Sequence, residues 1–133
     1  MTLFDSANNV SVHDVAWSPN SSCIVAACGD HELKMWNTIT GAFVSSLRGH
    51  TNVVTSCSFE ITGEDIIVSS SLDGTVRVWD MRRQGECIEI HYNVQLADGG
   101  IYNVQLSPNG LWLCSSTDTG VVREMKRTFA EEI

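Results

Sequence analysis

The most regular stretch of the chain is Thr75-Val76-Arg77-Val78-Trp79, where apolar and polar positions alternate with period two. Such alternation describes a strand with one apolar and one wet face. Before it, Ile66-Ile67-Val68-Ser69-Ser70-Ser71 opens on β-branched residues that favour extended backbone. Val54, Cys57 and Phe59 mark an earlier strand, and Gly85-Glu86-Cys87-Ile88-Glu89-Ile90 a later one. Polar turns separate them: Gly49-His50-Thr51-Asn52, Thr62-Gly63-Glu64-Asp65 and Asp73-Gly74. The last reads as a two-residue hairpin, because glycine accepts the positive φ of a tight turn. The pattern predicts four short antiparallel strands.

It also repeats. Gly29-Asp30-His31-Glu32-Leu33-Lys34-Met35-Trp36-Asn37 precedes Leu72-Asp73-Gly74-Thr75-Val76-Arg77-Val78-Trp79-Asp80 by forty-three residues, and in each an Asp stands six residues before a Trp. The first copy lines up through Val12, Val15, Trp17, Asp30, Trp36 and Asn37. A third lines up through Ile101, Val104, Leu106, Ser107-Pro108-Asn109-Gly110, Ser115-Ser116 and Asp118. Ser18-Pro19-Asn20 and Ser107-Pro108-Asn109 read as one turn used twice. Copying at this period means one supersecondary unit stacked along the chain, an arrangement that builds surfaces for partners.

Gly49-His50 followed by Trp79-Asp80 resembles the WD40 repeat, the blade of β-propellers, and the likeness runs from about Val12 to Val122. It implies an all-β partial propeller of about three four-stranded antiparallel blades with the ring not closed. Residues 1–11, with Thr2-Leu3-Phe4, then supply the end strand of a preceding blade and a linker. Residues 12–48 form the first repeat, 49–96 the second and most complete, and 97–123 a partial third. Residues 124–133 form a charged tail suited to a short helix or to disorder.

The resemblance further implies a hydrogen-bonded chain in the middle blade: His50, Ser69 or Ser71, Asp73 and Trp79. Asp30, Trp36, Asn37, Asp80 and Asp118 carry the repeat signature. The other copies depart from it. The His50 position falls on Asn8 in the first copy and on Ala97 in the third. Ala26 or Cys28 stands where the first copy would need its serine, and six residues after Asp118 comes Glu124, not Trp. Rings of this kind need at least four blades. The three here predict a piece or truncated form of a larger propeller, with self-association as the second way to cover the open ends.

Composition narrows the role. Sixteen acidic residues against eight Lys and Arg give a net charge of −8, and an acidic surface repels phosphate backbones, so no nucleic-acid partner is expected. Five cysteines without a C-x-x-C pair read as reduced thiols. No apolar run approaches membrane-spanning length and the start lacks a secretory pattern, so Asn9-Val10-Ser11 and Asn20-Ser21-Ser22 are read as chance glycosylation matches. The expected setting is intracellular, in cytoplasm or nucleus, away from membranes.

The function implied by the resemblance is non-enzymatic protein binding. Partners would dock on turns contributed by Gly29, Thr51, Asn52, Leu72 and Thr117. A sharper variant rests on Trp79-Asp80-Met81-Arg82, which is similar to the motif of WD40 substrate receptors that dock onto cullin–RING ubiquitin ligases. Asp80 and Arg82 would then present a charged pair to the adaptor. An enzyme or metal protein is the reading from another class. Cys23, Cys28, His31 and His50 are its candidate ligands, but Cys23 and Cys28 are five residues apart on one strand and point to opposite faces. No phosphate loop or Gly-x-Ser-x-Gly elbow is present, and no cofactor is expected.

Overall fold

The computed structural model describes residues 2–3, 10–61, 65–92 and 99–128. The readings placed on Phe4, Asn8, Thr62-Gly63-Glu64, Ala97 and residues 129–133 lie outside them. Eleven strands among the described residues form three antiparallel sheets, each in chain order. The first sheet holds β1 (Val12–Trp17), β2 (Cys23–Cys28), β3 (Glu32–Asn37) and β4 (Phe43–Arg48). The middle sheet holds β5 (Val54–Phe59), β6 (Ile66–Ser71), β7 (Thr75–Asp80) and β8 (Glu86–Tyr92). The third holds β9 (Ile101–Leu106), β10 (Trp112–Thr117) and β11 (Val122–Lys126). Among the described residues no sheet closes on itself, and the helical content is a single 3-10 turn over Met81–Arg83.

The sheets stack with one polarity. Trp36 lies opposite Ile24 and Trp79 opposite Ile67, so the two indoles occupy the same place and define a tryptophan face on each sheet. The opposite face of the first sheet, with Val25, Ala27, Leu33 and Met35, packs on the tryptophan face of the middle sheet, with Val54, Cys57, Phe59, Ile67 and Trp79. The opposite face of the middle sheet, with Ile66, Val68, Val76 and Val78, packs on Ile101, Val104 and Leu113 of the third. β6 is therefore buried along its whole length. That is why Ile66-Ile67-Val68 runs apolar without alternating, as two-sided strands do.

The repeated turns are built from side chains. Ser18 Oγ donates to Asn20 Oδ1 (3.1 Å) and accepts the Cys23 N–H (3.1 Å). Ser107 Oγ does the same with Asn109 Oδ1 (2.7 Å) and the Trp112 N–H (3.0 Å). A short polar side chain that bonds its own backbone two residues on is a reliable turn former.

Two expectations are corrected. The β6–β7 loop is the three residues Leu72, Asp73 and Gly74, not a two-residue hairpin; the Gly74 N–H bonds the Ser71 carbonyl (3.2 Å) and Gly74 itself sits at φ 82°. The extra residue lets the Asp73 carboxylate turn back onto Thr75. The second correction concerns the charged tail. β11 continues through Glu124–Lys126, and Arg127 is buried. Its guanidinium meets Glu89 Oε2 of β8 (3.0 Å) and the Gly110 carbonyl (3.1 Å), while the Thr128 N–H donates to Glu89 Oε1. A buried carboxylate recovers its lost hydration through such partners, and this pair ties the middle sheet to the end of the third.

Candidate functional site

Four polar side chains are connected end to end on the tryptophan face of the middle sheet. Trp79 Nε1 donates to Ser69 Oγ (2.9 Å), Ser69 Oγ meets His50 Nε2 (2.7 Å), and His50 Nδ1 meets Asp73 Oδ2 (2.9 Å). An indole N–H can only donate, so one direction satisfies every member: the Ser69 hydroxyl donates to Nε2 and Nδ1–H donates to Asp73. Asp73 also accepts the Thr51 N–H (3.0 Å), the Thr75 N–H (2.8 Å) and the Thr75 hydroxyl (2.6 Å). Burial pulls its carboxyl upward, but the bonds from His50, Thr75 and Thr51 outweigh that and hold it well below the usual carboxylate range. Of the two serines, Ser69 is the member. Ser71 Oγ donates instead to the Val53 carbonyl (2.8 Å) and accepts the Asp73 N–H (3.1 Å).

A Ser, a His and an Asp in contact could be taken for a nucleophile and its base. Here Ser69 and the His50 side chain have no exposed surface, so the hydroxyl cannot meet a substrate. The set ties the turn before β5 to β6 and β7.

In the first sheet the set is broken. Ala26 stands at the Ser69 position, two residues beyond the one facing the Trp, and Trp36 Nε1 is buried with no partner among the described residues. Asp30 turns to Lys34 Nζ instead (2.7 Å). Ala26→Ser should therefore raise stability by about 1 kcal/mol, a typical net hydrogen bond, seen as a higher urea midpoint. An unchanged midpoint would mean that the indole gains nothing from an acceptor there. Asn37 and Asp80 play one part in the two sheets: Asn37 Oδ1 accepts the Ile39 N–H (2.8 Å) and Asp80 Oδ1 the Arg82 N–H (2.9 Å).

In the third sheet the register corrects the reading of Asp118. Ser116 pairs with Val122 and Leu113 with Met125, as Ser70 pairs with Val76 and Ile67 with Trp79. Thr119 thus takes the Asp73 position and Asp118 lies one residue early, exposed. Met125, not Glu124, fills the place of the Trp.

The candidate docking residues gather at one end of the stack. Val12 pairs with Cys28, Val54 with Ser71 and Ile101 with Thr117, so the same connections of all three sheets share that end. Thr51 and Asn52 are exposed there. Gly29 is fixed by packing, since a side chain would run into Ser11. Leu72 is half-buried against Gly100, where an added Cβ would stand 2.8 Å from its Cδ2. The Thr117 N–H closes its own loop on the Val121 carbonyl (3.0 Å).

Asp80 and Arg82, expected to present a charged pair, lie at the other end of β7. Asp80 is buried; its carboxylate caps the 3-10 turn and takes the Arg82 guanidinium in a fork, Nε to Oδ1 (3.1 Å) and Nη2 to Oδ2 (3.2 Å). Those Arg82 bonds, against the opposing effect of burial, keep the carboxyl below its ordinary range. Only Arg82 faces solvent, its side chain 62% exposed. Among the described residues no three of His, Cys, Asp and Glu converge as metal ligands.

Three stacked antiparallel sheets, one carrying the Trp–Ser–His–Asp chain, define a repeat-built propeller scaffold. The family described as WD domain, G-beta repeat matches residues 2–37 and 41–80. The chain belongs to this WD40 family. It is 29% identical over 107 residues to WD repeat and SOCS box-containing protein 1 of Homo sapiens, covering 80% of this chain and 25% of that protein. It is 32% identical over 76 residues to the Denticleless protein homolog of Danio rerio, covering 57% of this chain and 12% of that one. To Periodic tryptophan protein 2 of Arabidopsis thaliana it is 38% identical over 72 residues, covering 54% of this chain and 8% of the relative. The chain thus spans a quarter or less of the length of each of these relatives.

Proposed function

We propose that this chain is a non-enzymatic protein-interaction scaffold whose partners dock where the loops of the three sheets share one end. One observation carries this reading. The turn before β5 and the β6–β7 loop of the middle sheet, joined by the bond from the Leu72 N–H to the Val53 carbonyl (3.0 Å), present Thr51, Asn52 and Leu72 together, while the hydroxyl of Ser69 and the imidazole of His50 beneath them are sealed from solvent. Fold alone does not name a partner.

A second reading, an adaptor contact of the cullin–RING ubiquitin-ligase kind, is favoured by the Asp80–Arg82 fork at the opposite end. It holds one exposed guanidinium in a fixed direction, which suits a carboxylate on a partner. The similarity to a protein named for WD repeats and a SOCS box is in keeping with it.

One experiment separates the two. Partners captured in cells by tagged protein would be compared among wild type, Asn52→Ala/Leu72→Ala and Arg82→Ala. The docking-end reading predicts at least a tenfold loss of capture in the first variant and none in the second, with thermal stability checked because Leu72 touches Gly100. Loss confined to Arg82→Ala would move the interface to the other end.

A further inference from the structure

We propose that copies of this chain associate head to tail, the opposite face of the third sheet in one copy receiving the tryptophan face of the first sheet in the next. This goes beyond the scaffold reading, because it assigns a self-docking surface on the sides of the stack, not at the loop end.

The register supplies the argument. Both internal interfaces join an opposite face to a tryptophan face. The strand pairings place Val15 with Cys57 and Val104, and Trp17 with Phe59 and Leu106, on the tryptophan faces. In the middle and third sheets these positions sit in the packed interfaces; in the first sheet Val15 and Trp17 are each 61% exposed. Leu3 and Val10 cover Ala26, Cys28 and Trp36 but leave the Trp17 end open.

The other side shows the converse. Leu33 and Val76 are fully buried, whereas Val122 at their position is 74% exposed. Ile66 is buried, whereas its counterpart Trp112 is 39% exposed. Val15 and Trp17 on one side and Trp112 and Val122 on the other thus stay exposed at register positions that are filled inside the stack, with Gln105, Glu124 and Lys126 sharing the face of Trp112.

A plug and a socket can be named. Phe59 clusters with Ala16, Cys23 and Val25 of the sheet before it, and Leu106 with Ile66 and Val68 of the sheet before it. Trp17 is the same residue of the first sheet. The equivalent socket on the third sheet is a groove of about 390 Å³ lined by Gln105, Leu106, Pro108, Trp112, Cys114 and Glu124. Joining unlike faces makes the contact heterologous, closing into a ring or extending as a row.

Light-scattering mass of the 133-residue chain across the micromolar range tests this. The wild type should run at two or more chain masses, and Trp17→Glu and Val122→Glu each at one. Both substitutions are at exposed positions, and circular dichroism checks the fold; Val15→Glu provides a second variant of the Trp17 face. An equimolar mixture of Trp17→Glu and Val122→Glu should form a pair, since each retains the face the other has lost. A wild type at single-chain mass, a variant that still associates, or a mixture that stays single would each overturn the proposal.

Discussion

Trp79→Ala should cost about 3–5 kcal/mol, the range for removing a large aromatic side chain from a core. Domain stabilities are about 5–15 kcal/mol, so the middle sheet would be left marginal. Two losses combine. Trp79 is 1% exposed, and its ring lies under Gly49, where an added Cβ would stand 3.2 Å from it. Its N–H is also one of the two partners of Ser69 Oγ, the other being His50. Trp79→Phe keeps much of the packing and should cost less, about 1–3 kcal/mol for the unmatched polar group and the smaller ring. Urea unfolding followed by circular dichroism reads both. Trp112→Ala, at a 39% exposed position, is the comparison. If Trp79→Ala were no worse than Trp112→Ala, the hydrogen-bonded chain would not be what holds the middle sheet.

The second large effect is expected at Arg127. Arg127→Met leaves Glu89 charged and buried, and breaking a buried pair by removing one partner costs about 3–5 kcal/mol. Replacing both, as Glu89→Leu with Arg127→Met, should recover most of that, because no buried charge is stranded. The pair also fixes a pH signature. Burial raises the Glu89 carboxyl, but the bonds from His91, the Thr128 N–H and Arg127 prevail and bring it from 4.5 to about 2. A folded-state value below the unfolded one means the contribution is complete above about 4.5 and is lost as pH falls towards 2. Asp73, also lowered, adds to the same acid limb. Glu89→Gln should flatten part of that limb and leave the rest to Asp73 and Asp80, whose carboxyls are also lowered. An Arg127→Met protein as stable as wild type, or an unchanged acid limb in Glu89→Gln, would contradict this account.

What the sequence disclosed followed from local rules. Strand alternation and the Ser-Pro-Asn turns arise within one sheet, where period and turn chemistry write themselves into neighbouring residues, whereas the joining of His50, Asp73 and Trp79 was implied by the resemblance to the WD40 repeat. The choice between Ser69 and Ser71 was not legible, because both lie on one face and only the reach of the indole separates them. Asp118 misled because counting six residues onward from it lands on Glu124, which points away from the middle sheet, and hides Met125, which packs on it. The Glu89–Arg127 pair left no trace, since its members are thirty-eight residues apart and obey no period. Arg127 looked like solvated charge because burial of a cation is decided by its distant partner.

The order of the strands bears on how the chain is made. Every sheet is assembled from consecutive strands, with no strand borrowed from elsewhere among the described residues. A growing chain can therefore complete each sheet as its own stretch leaves the ribosome, with little loop-closure entropy to overcome. The bolt from His50 to Trp79 can close before β9 has been synthesised. The first sheet, which lacks such a bolt, waits on the middle one for cover over Val25, Leu33 and Met35. During translation the vulnerable interval is thus the synthesis of β5 to β8, when an apolar wall is finished and its neighbour is not.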